Sequence, residues 1–490
     1  MITTAHNAYL SFSALKQKKE SIKNIFFYRI CGTGMGAAAC LLKEMGMNVE
    51  GGDLLFTPPM SDYLQSTLIP LHHLKDCGIT FLQQFDLIVV GNVVPKNSED
   101  ATKIETSGVP FTSFPTALGA LLLSEQNVVG IAGTHGKTTT TYLAVQLFEK
   151  LGFRPGYLIG GVLNDRPSSQ LGDGSYFFIE SDEYDSAYFE KHPKFHSYAL
   201  KHLLLTSLEY DHADIYPNVE AIEQEFIKLI NHLKKTLILN QDYLSTQKVT
   251  HSSTIHPDVA VYAYGEQSGC GPHILQMTPQ KTVFELIWKQ TKNQFETNLT
   301  GPQNILNLSA VILFAFSQGL SAEMIRPHLR NFKMVKRRQE IVGRYKNALF
   351  IDDFAHHPRA MALTLDGIRT QYPNQKMLVL FEPASATARS TIFQNEFTDA
   401  LKAADGVIII RPARRSQIPL HGDIDGHHIL QRLQKENHIP GCLVENVDDL
   451  VKVLDDYLDN PIHHYRIVVT LSNGNLSSLW ARIFPQQSST

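Results

Sequence analysis

Three features are scarce in this 490-residue chain, and each scarcity excludes a class of protein. Cysteine occurs five times, at Cys31, Cys40, Cys77, Cys270 and Cys442, with no paired or metal-type spacing. That argues against a disulfide scaffold or a zinc module and suits a reducing cytosol. No apolar run reaches the length needed to span a bilayer. Lys16, Lys18, Lys19 and Lys23 crowd the start without an apolar signal core, so residues 1–22 read as a tail, not a signal peptide. Charge of one sign is also lacking. With 44 Lys and Arg against 48 Asp and Glu, the net charge of −4 gives no general attraction to nucleic acid or to a membrane surface. What the chain does have is length for about three domains, and 43% hydrophobic residues to fill their cores.

The most informative stretch is Asn127-Val-Val-Gly-Ile-Ala-Gly-Thr-His-Gly-Lys-Thr-Thr-Thr-Thr141. It reads as a buried strand, a glycine-rich turn and a helix start. Gly133 and Gly136 let the backbone turn tightly and bring N–H groups near an anion. A helix N-terminus adds free donors and the positive end of its dipole. Lys137 is spaced to reach β/γ-phosphates, and Thr138 to offer its hydroxyl to Mg²⁺. A purely structural glycine turn does not account for Gly136-Lys137-Thr138. The strict phosphate-loop pattern puts a glycine at position 131, where this chain has Ile131, so the loop is a variant form.

Ahead of it, a strand at Asn24 to Ile30 runs into Cys31-Gly-Thr-Gly-Met-Gly-Ala37 and a helix to Met45. Gly32, Gly34 and Ala37 fit a nucleotide-binding turn, and Asp53 closes the next strand where an acidic residue can take a ribose hydroxyl. Such turns serve several nucleotides. Nothing nearby resembles a hydride-transfer site. With Phe85 to Val90 as a further strand, residues 23–126 form a Rossmann-like domain.

The middle block, 127–336, carries Glu180 at the end of a strand from Tyr176, where open α/β sheets bind ligands. Asp182, Glu183 and Asp185 continue the acidic run and read as solvated surface. A strand at Leu203 to Ser207 delivers Glu209, Asp211 and His212. Thr138 and Glu180 suit Mg²⁺, which prefers hard oxygen; His212 is equally readable as a ligand or a core histidine. Asn304 and Asn307 fall in the first turn of an apolar helix, where asparagine more often caps than ligates.

The last block, 337–490, opens with Arg337-Arg338. A strand at Asn347 to Ile351 ends in Asp352-Asp-Phe-Ala-His-His-Pro358, and Pro358 suits the first turn of a helix to Gln371. Strands at Lys376 to Phe381, Gly406 to Ile410 and Arg466 to Leu471 alternate with helices, which means a parallel sheet. Ser385, Arg389, Arg414 and Arg415 lie in polar loops at strand ends, and arginines facing a cleft would suit a substrate with several carboxylates. The fold class is α/β in three domains: a Rossmann-like N-terminal domain, a central phosphate-loop ATPase-type domain and a Rossmann-like C-terminal domain.

Taken together, these motifs resemble the Mur ligase family, the ATP-dependent amide ligases of bacterial peptidoglycan synthesis. The resemblance runs from about Lys23 onward. It rests on Gly133-Thr-His-Gly-Lys-Thr-Thr139, Glu180 in Ile-Glu-Ser-Asp-Glu-Tyr-Asp, Asp211-His212 with Asp214, Asn304 and Asn307, Arg338 before Gln339-Glu340, and Asp353. The variant phosphate loop is the family's own form. Pro58 to Ser61, Ile159-Gly-Gly-Val162, Glu183-Tyr184-Asp185, Phe354 to His357, and Phe381-Glu-Pro383 with Ser385 and Thr387 are similar to the branch that attaches a whole peptide. The branch that adds L-alanine alone shares the first-domain loop and the His-His-Pro motif, and is less similar at Ile159 to Val162 and at Phe381 to Arg389. Gln303 departs from the family pattern, which has histidine before the first asparagine.

The resemblance implies a cytoplasmic enzyme with ATP and Mg²⁺ as cofactors. It would join UDP-N-acetylmuramate to the murein tripeptide L-Ala-γ-D-Glu-meso-diaminopimelate, as in murein recycling. It implies Lys137, Glu180, His212 and Arg338 as catalytic residues. Gly133, Thr134, His135, Gly136, Lys137, Thr138, Thr139, Asn304, Asn307, Arg338 and Asp353 would bind ATP, and Thr138, Glu180 and His212 would hold metal. Gly32, Thr33, Gly34, Met35, Gly36, Ala37 and Asp53 would bind the UDP-sugar, and Ser385, Arg389, Arg414 and Arg415 the peptide. The alternatives are an L-alanine-adding ligase and a non-ligating NTPase switch.

Overall fold

The computed structural model describes residues 8–57, 60–163, 165–411, 422–474 and 476–484. Three parallel sheets follow one another along the chain, each buried by helices on its faces. The first has five strands, in the order Leu71–His73, Asn48–Asp53, Asn24–Tyr28, Leu87–Val90, Phe111–Ser113. All are parallel. The sequence reading found three of them; the two outer strands are three residues long, too short for a hydrophobic period to register.

The central sheet runs Ala260–Tyr264, Thr236–Asn240, His202–Leu205, Asn127–Ala132, Tyr176–Ser181, Gly156–Leu158, Ser169–Gln170. It is parallel except for the last pair. Its strands are apolar on both faces, as parallel strands covered by helices must be. Val128 and Ala132 pack on one side and Val129 and Ile131 on the other; Leu203 and Leu205 alternate with Leu204 in the same way. The helices Lys137–Lys150 and Pro302–Ser317 cover the second side. An antiparallel three-stranded sheet, His273–Met277, Thr282–Trp288, Thr291–Thr297, buries Phe284 and Phe295 against that same core.

The first side of the central sheet is not a private core. Leu118 and Leu121 of the first domain share one continuous cluster with Phe195, Tyr198, Leu203 and Leu205 of the central one. The third domain has its own two cores, one on each side of its six-stranded sheet. That sheet is ordered Glu340–Tyr345, Ala348–Asp353, Tyr465–Ser472, Lys376–Glu382, Gly406–Ile410, Gly441–Val444. Its first strand is antiparallel. As a half-exposed edge strand, it carried no apolar run for the sequence to reveal.

The expected tail needs correction. Residues 8–10 pair with the edge strand at Phe111, and Leu15 of the helix Phe12–Gln17 is fully buried in the shared core. Tyr9 donates to Glu190 of the central domain at 2.8 Å. The basic Lys16, Lys18 and Lys19 hide a short amphipathic helix that the eye reads as polar. Among the described residues, no helix is long and apolar enough to cross a membrane.

Candidate active site between the central and third domains

The phosphate loop connects the strand Asn127–Ala132 to the helix Lys137–Lys150. Both turn glycines are required. Gly133 has φ 128° and Gly136 φ 82°, the left-handed region that other residues enter at a cost. A Cβ on Gly136 would stand 2.6 Å from Asn307 Oδ1. No side chain caps the helix that starts at Lys137, which leaves its N-terminal donors to an anion. Ser207 Oγ accepts from the His135 amide at 2.7 Å, and Thr134 Oγ1 from the Glu209 amide at 2.9 Å. The loop is thus tied to the end of the neighbouring strand.

One cleft gathers Thr134 to Thr139, Glu180, His212, Asn304 and Asn307 from the central domain with Arg338 and Asp353 from the third. They are spread over residues 134 to 353, a span of more than two hundred positions, so only the fold brings them together. Asn304 Nδ2 donates back to Thr300 O at 2.8 Å; the N-cap position is Gly301, and no side chain caps this helix. Gln303, the departure from the family pattern, also lines the cleft and donates to Asn307 at 3.4 Å.

Thr138 Oγ1 lies 3.0 Å from Glu180 Oε1, and the other Glu180 oxygen accepts from the Gly160 amide at 2.8 Å. Neighbouring ligands of an octahedral Mg²⁺ are about 2.9 Å apart, given metal–oxygen distances of 2.0–2.1 Å. The hydroxyl–carboxylate pair therefore fits that ion. His212 sits apart from this pair, 3.4 Å from Glu183 Oε1, and with Asp182 the two form a second group of convergent donors. Its backbone is left-handed, with φ 54°, and its amide donates to Asp211 Oδ1 at 2.7 Å. Burial pulls the His212 pKa down, but the bond to Glu183 and the charges of Asp211 and Glu183 outweigh it and raise it to about 9.

Glu183, expected on the solvated surface, is buried at the phosphate loop. It is 2% exposed, and its two oxygens hold Lys137 Nζ at 3.2 and 3.1 Å. Burial alone would discharge Lys137; Glu183, Asp182 and Glu180 more than offset it and keep the ammonium protonated. Asp182 and Asp185 are paired as well, with Lys194 and Lys191. The available signal was the spacing: a lysine at a buried helix start needs a counter-charge, and Glu183 lies just beyond the strand that abuts it.

Arg337 and Arg338 both lie over the Phe354 ring, at 5.3 and 5.1 Å, but differ in their other partners. Arg337 turns into the third domain, 3.0 Å from buried Asp352, and donates to Ser472 O and Gly474 O at 2.6 Å. Arg338 faces the cleft with its guanidinium 5.1 Å from the Phe354 ring centre. Arg337 and Gln339 on either side of it are left-handed, with φ 60° and 51°. Such strain persists only where the surroundings impose it. Asp353 is buried and accepts from the Gln339 amide at 2.9 Å and the Ala355 amide at 2.8 Å.

The remaining predicted residues lie outside this cleft. In the first domain, Gly32, Thr33 and Gly34 are accessible at the start of the helix Thr33–Glu44, while Met35, Gly36 and Ala37 are buried beneath them. Asp53 bonds the Cys31 amide at 2.9 Å and the Leu54 amide at 2.7 Å, so it shapes the turn itself. In the third domain, Arg389 pairs with Asp423 at 2.9 Å and lines a separate cavity with Arg411 and His427. Ser385 caps the short helix Ala386–Arg389. Arg414 and Arg415 lie outside the described residues, as do Pro58 and Pro59.

Comparison with known proteins agrees with this layout. Residues 24–126 match the family model "Mur ligase family, catalytic domain", 131–315 the "Mur ligase middle domain", and 337–473 the "Mur ligase, glutamate ligase domain". The chain is 31% identical to the UDP-N-acetylmuramate–L-alanyl-γ-D-glutamyl-meso-2,6-diaminoheptanedioate ligase of Haemophilus influenzae, over 81% of this chain and 87% of the relative. It is 32% identical to the UDP-N-acetylmuramate–L-alanine ligase of Borrelia garinii, over 81% and 85%. The crystal structure of a murein peptide ligase from Psychrobacter arcticus superposes with a TM-score of 0.68 at 26% identity, covering 96% of this chain and 99% of that one. The chain belongs to the Mur ligase family, whose members are ATP-dependent ligases that form amide bonds.

Proposed function

We propose that the chain joins UDP-N-acetylmuramate to the tripeptide L-Ala-γ-D-Glu-meso-diaminopimelate, in the cytoplasm, as a step of murein recycling. The observation that carries this reading is the cleft itself. Phosphate-loop residues, a hydroxyl–carboxylate pair and His212 face Arg338 and Asp353 of another domain. Residues 23–126 are assigned to the UDP-sugar, 127–336 to ATP and 337–490 to the peptide. The similarity to peptide-adding relatives favours the tripeptide.

A carboxylate resists attack because it is already anionic. ATP overcomes this by phosphorylating it: a carboxylate oxygen of the muramate attacks the γ-phosphorus and ADP leaves. The peptide's α-amine then attacks the acyl carbon, loses a proton, and expels phosphate. Catalysis here is positioning and charge neutralisation. The loop amides and Lys137 hold the β/γ-phosphates. Arg338, supplied from the third domain, neutralises charge that builds on the transferring group. Asp353 and Asn304 face the nucleoside. Thr138 and Glu180 would hold Mg²⁺, with His212 beside a further ion; such metals neutralise phosphate and carboxylate charge. In the third domain, Arg389 is assigned to a peptide carboxylate.

The test is phosphate release from ATP and Mg²⁺ with UDP-N-acetylmuramate and, in turn, L-alanine, the dipeptide and the tripeptide. Turnover with tripeptide only is expected. Turnover with L-alanine alone would favour the second reading, the alanine-adding ligase, which the Borrelia relative supports at comparable identity and coverage. Phosphate release that needs neither organic substrate would leave an NTPase switch.

A further inference from the structure

A second cluster of donors lies beside the cleft, built from both domains that form it. His135 of the phosphate loop has Nε2 2.7 Å from Glu209 Oε2. His357 of the third domain has Nδ1 4.0 Å from the same oxygen. One donor atom from each residue lies within 4.8 Å of the others. His357 is 6% exposed, and neither of its ring nitrogens has a hydrogen-bond partner. An imidazole buried with both nitrogens unpaired is costly, so the position calls for an explanation.

We propose that His135, Glu209 and His357 form a binding site for a borderline-soft divalent cation of the zinc type, which clamps the third domain onto the phosphate loop. The donor set distinguishes it from the hard-oxygen pair Thr138–Glu180. Two imidazoles and one carboxylate suit Zn²⁺, Co²⁺ or Ni²⁺ and not Mg²⁺. Bond lengths of 2.0–2.2 Å in a tetrahedron put neighbouring donors about 3.4 Å apart. The observed 2.7 and 4.0 Å bracket that value, so small side-chain rotations close the site. Glu209 has an oxygen to spare, since Arg359 pairs with Oε1 at 3.2 Å while Oε2 faces the histidines. The charge of Arg359 moderates affinity and argues for a reversible ion over a permanent structural one. Both histidines line the cleft. The clamp is independent of which amine the enzyme accepts.

The experiment titrates Co²⁺ into the metal-free full-length protein in a large excess of Mg²⁺. Tetrahedral Co²⁺ gives strong visible absorption, and Zn²⁺ should displace it. The expected result is saturation at one Co²⁺ per chain, weakened about tenfold or more in His357→Gln and in Glu209→Gln. The same titration of His212→Gln should be unchanged. Zn²⁺ should raise the melting temperature of the parent and not of His357→Gln. If one variant fails to fold, the other reads the same site from the opposite domain. No saturable Co²⁺ signal in the parent would overturn the proposal. So would a signal that survives both site variants or disappears in His212→Gln.

Discussion

Lys137 Nζ is held by both oxygens of Glu183, at 3.2 and 3.1 Å, in the position where it would otherwise meet phosphate. Under the proposed function Glu183 stands in for the anion, and nucleotide binding would have to draw the ammonium off it. A charge-assisted hydrogen bond contributes roughly 1.5–3 kcal/mol. Glu183→Gln weakens this competitor without emptying the space. KM for ATP should fall about tenfold, while kcat falls because His212 loses its charged partner. Steady-state phosphate release checks the split, and a raised KM for ATP would sink the idea.

The two adjacent arginines should separate stability from rate. Arg337→Ala leaves buried Asp352 without its guanidinium and frees Ser472 O and Gly474 O. Loss of one partner of a buried pair costs about 3–5 kcal/mol, so denaturant unfolding should show a large loss. Arg338→Ala removes a cleft-facing charge that stacks on Phe354 and acts on Asp353 through charge alone, with no hydrogen bond to it among the described contacts. Turnover should drop by roughly 10²–10³, the effect of deleting one transition-state donor, with little change in unfolding midpoint. An unfolded Arg338→Ala protein with intact turnover would reverse the assignment.

Gly160 tests the metal pair. A Cβ there would stand 2.8 Å from Glu180 Oε2, the oxygen its own amide holds. Gly160→Ala should swing the carboxylate away from Thr138. The Mg²⁺ concentration for half-maximal activity should rise about tenfold, while the melting temperature without Mg²⁺ moves little. An unchanged Mg²⁺ requirement would count against Thr138 and Glu180 as the binding pair.

His202 should make stability pH-dependent. It is 1% exposed, and burial, then Lys235 and Lys201, lower its pKa from 6.5 to about 3. Between those values the unfolded chain binds more protons than the folded one, so stability is present above pH 6.5 and lost as pH falls. The loss from pH 7 to pH 5 should be about 2 kcal/mol from this residue alone. His202→Gln, compared by denaturant unfolding at both values, should be flatter by that amount.

The parts of the site that could be read in the sequence are those whose chemistry is local. Gly133, Gly136, Lys137 and Thr138 sit within one turn, so their spacing alone implied a phosphate cradle. Glu180 and His212 were visible as polar residues at strand ends. The Lys137–Glu183 pair was not, because counter-charge is a property of tertiary packing and an acidic run looks solvated until something is found against it. Arg337 and Arg338 were told apart only by the family resemblance; what gives Arg337 its buried partner Asp352 and leaves Arg338 on the cleft is the fold, with left-handed backbone at Arg337 and Gln339. The edge strand Glu340–Tyr345 and the packing of residues 8–22 escaped for a related reason. Each buries one or two side chains, too few to set a period.

The hydrophobic cluster shared by the first two domains has a mechanical consequence. A Cβ on Gly119 would stand 1.7 Å from Ser197 O, and Glu190 is bonded at once by Tyr9, Ser113 and Thr116. Backbone in direct contact across a greasy seam does not slide, so these two domains act as a single rigid jaw. The third domain meets that jaw through contacts such as the Arg359–Glu209 pair and the Tyr210–Phe393 ring contact, and among the described residues shares no such backbone seam with it. Under the proposed function, a sugar nucleotide in the first domain would therefore keep its distance from the phosphate loop, and any closure of the third domain would move the amine donor alone.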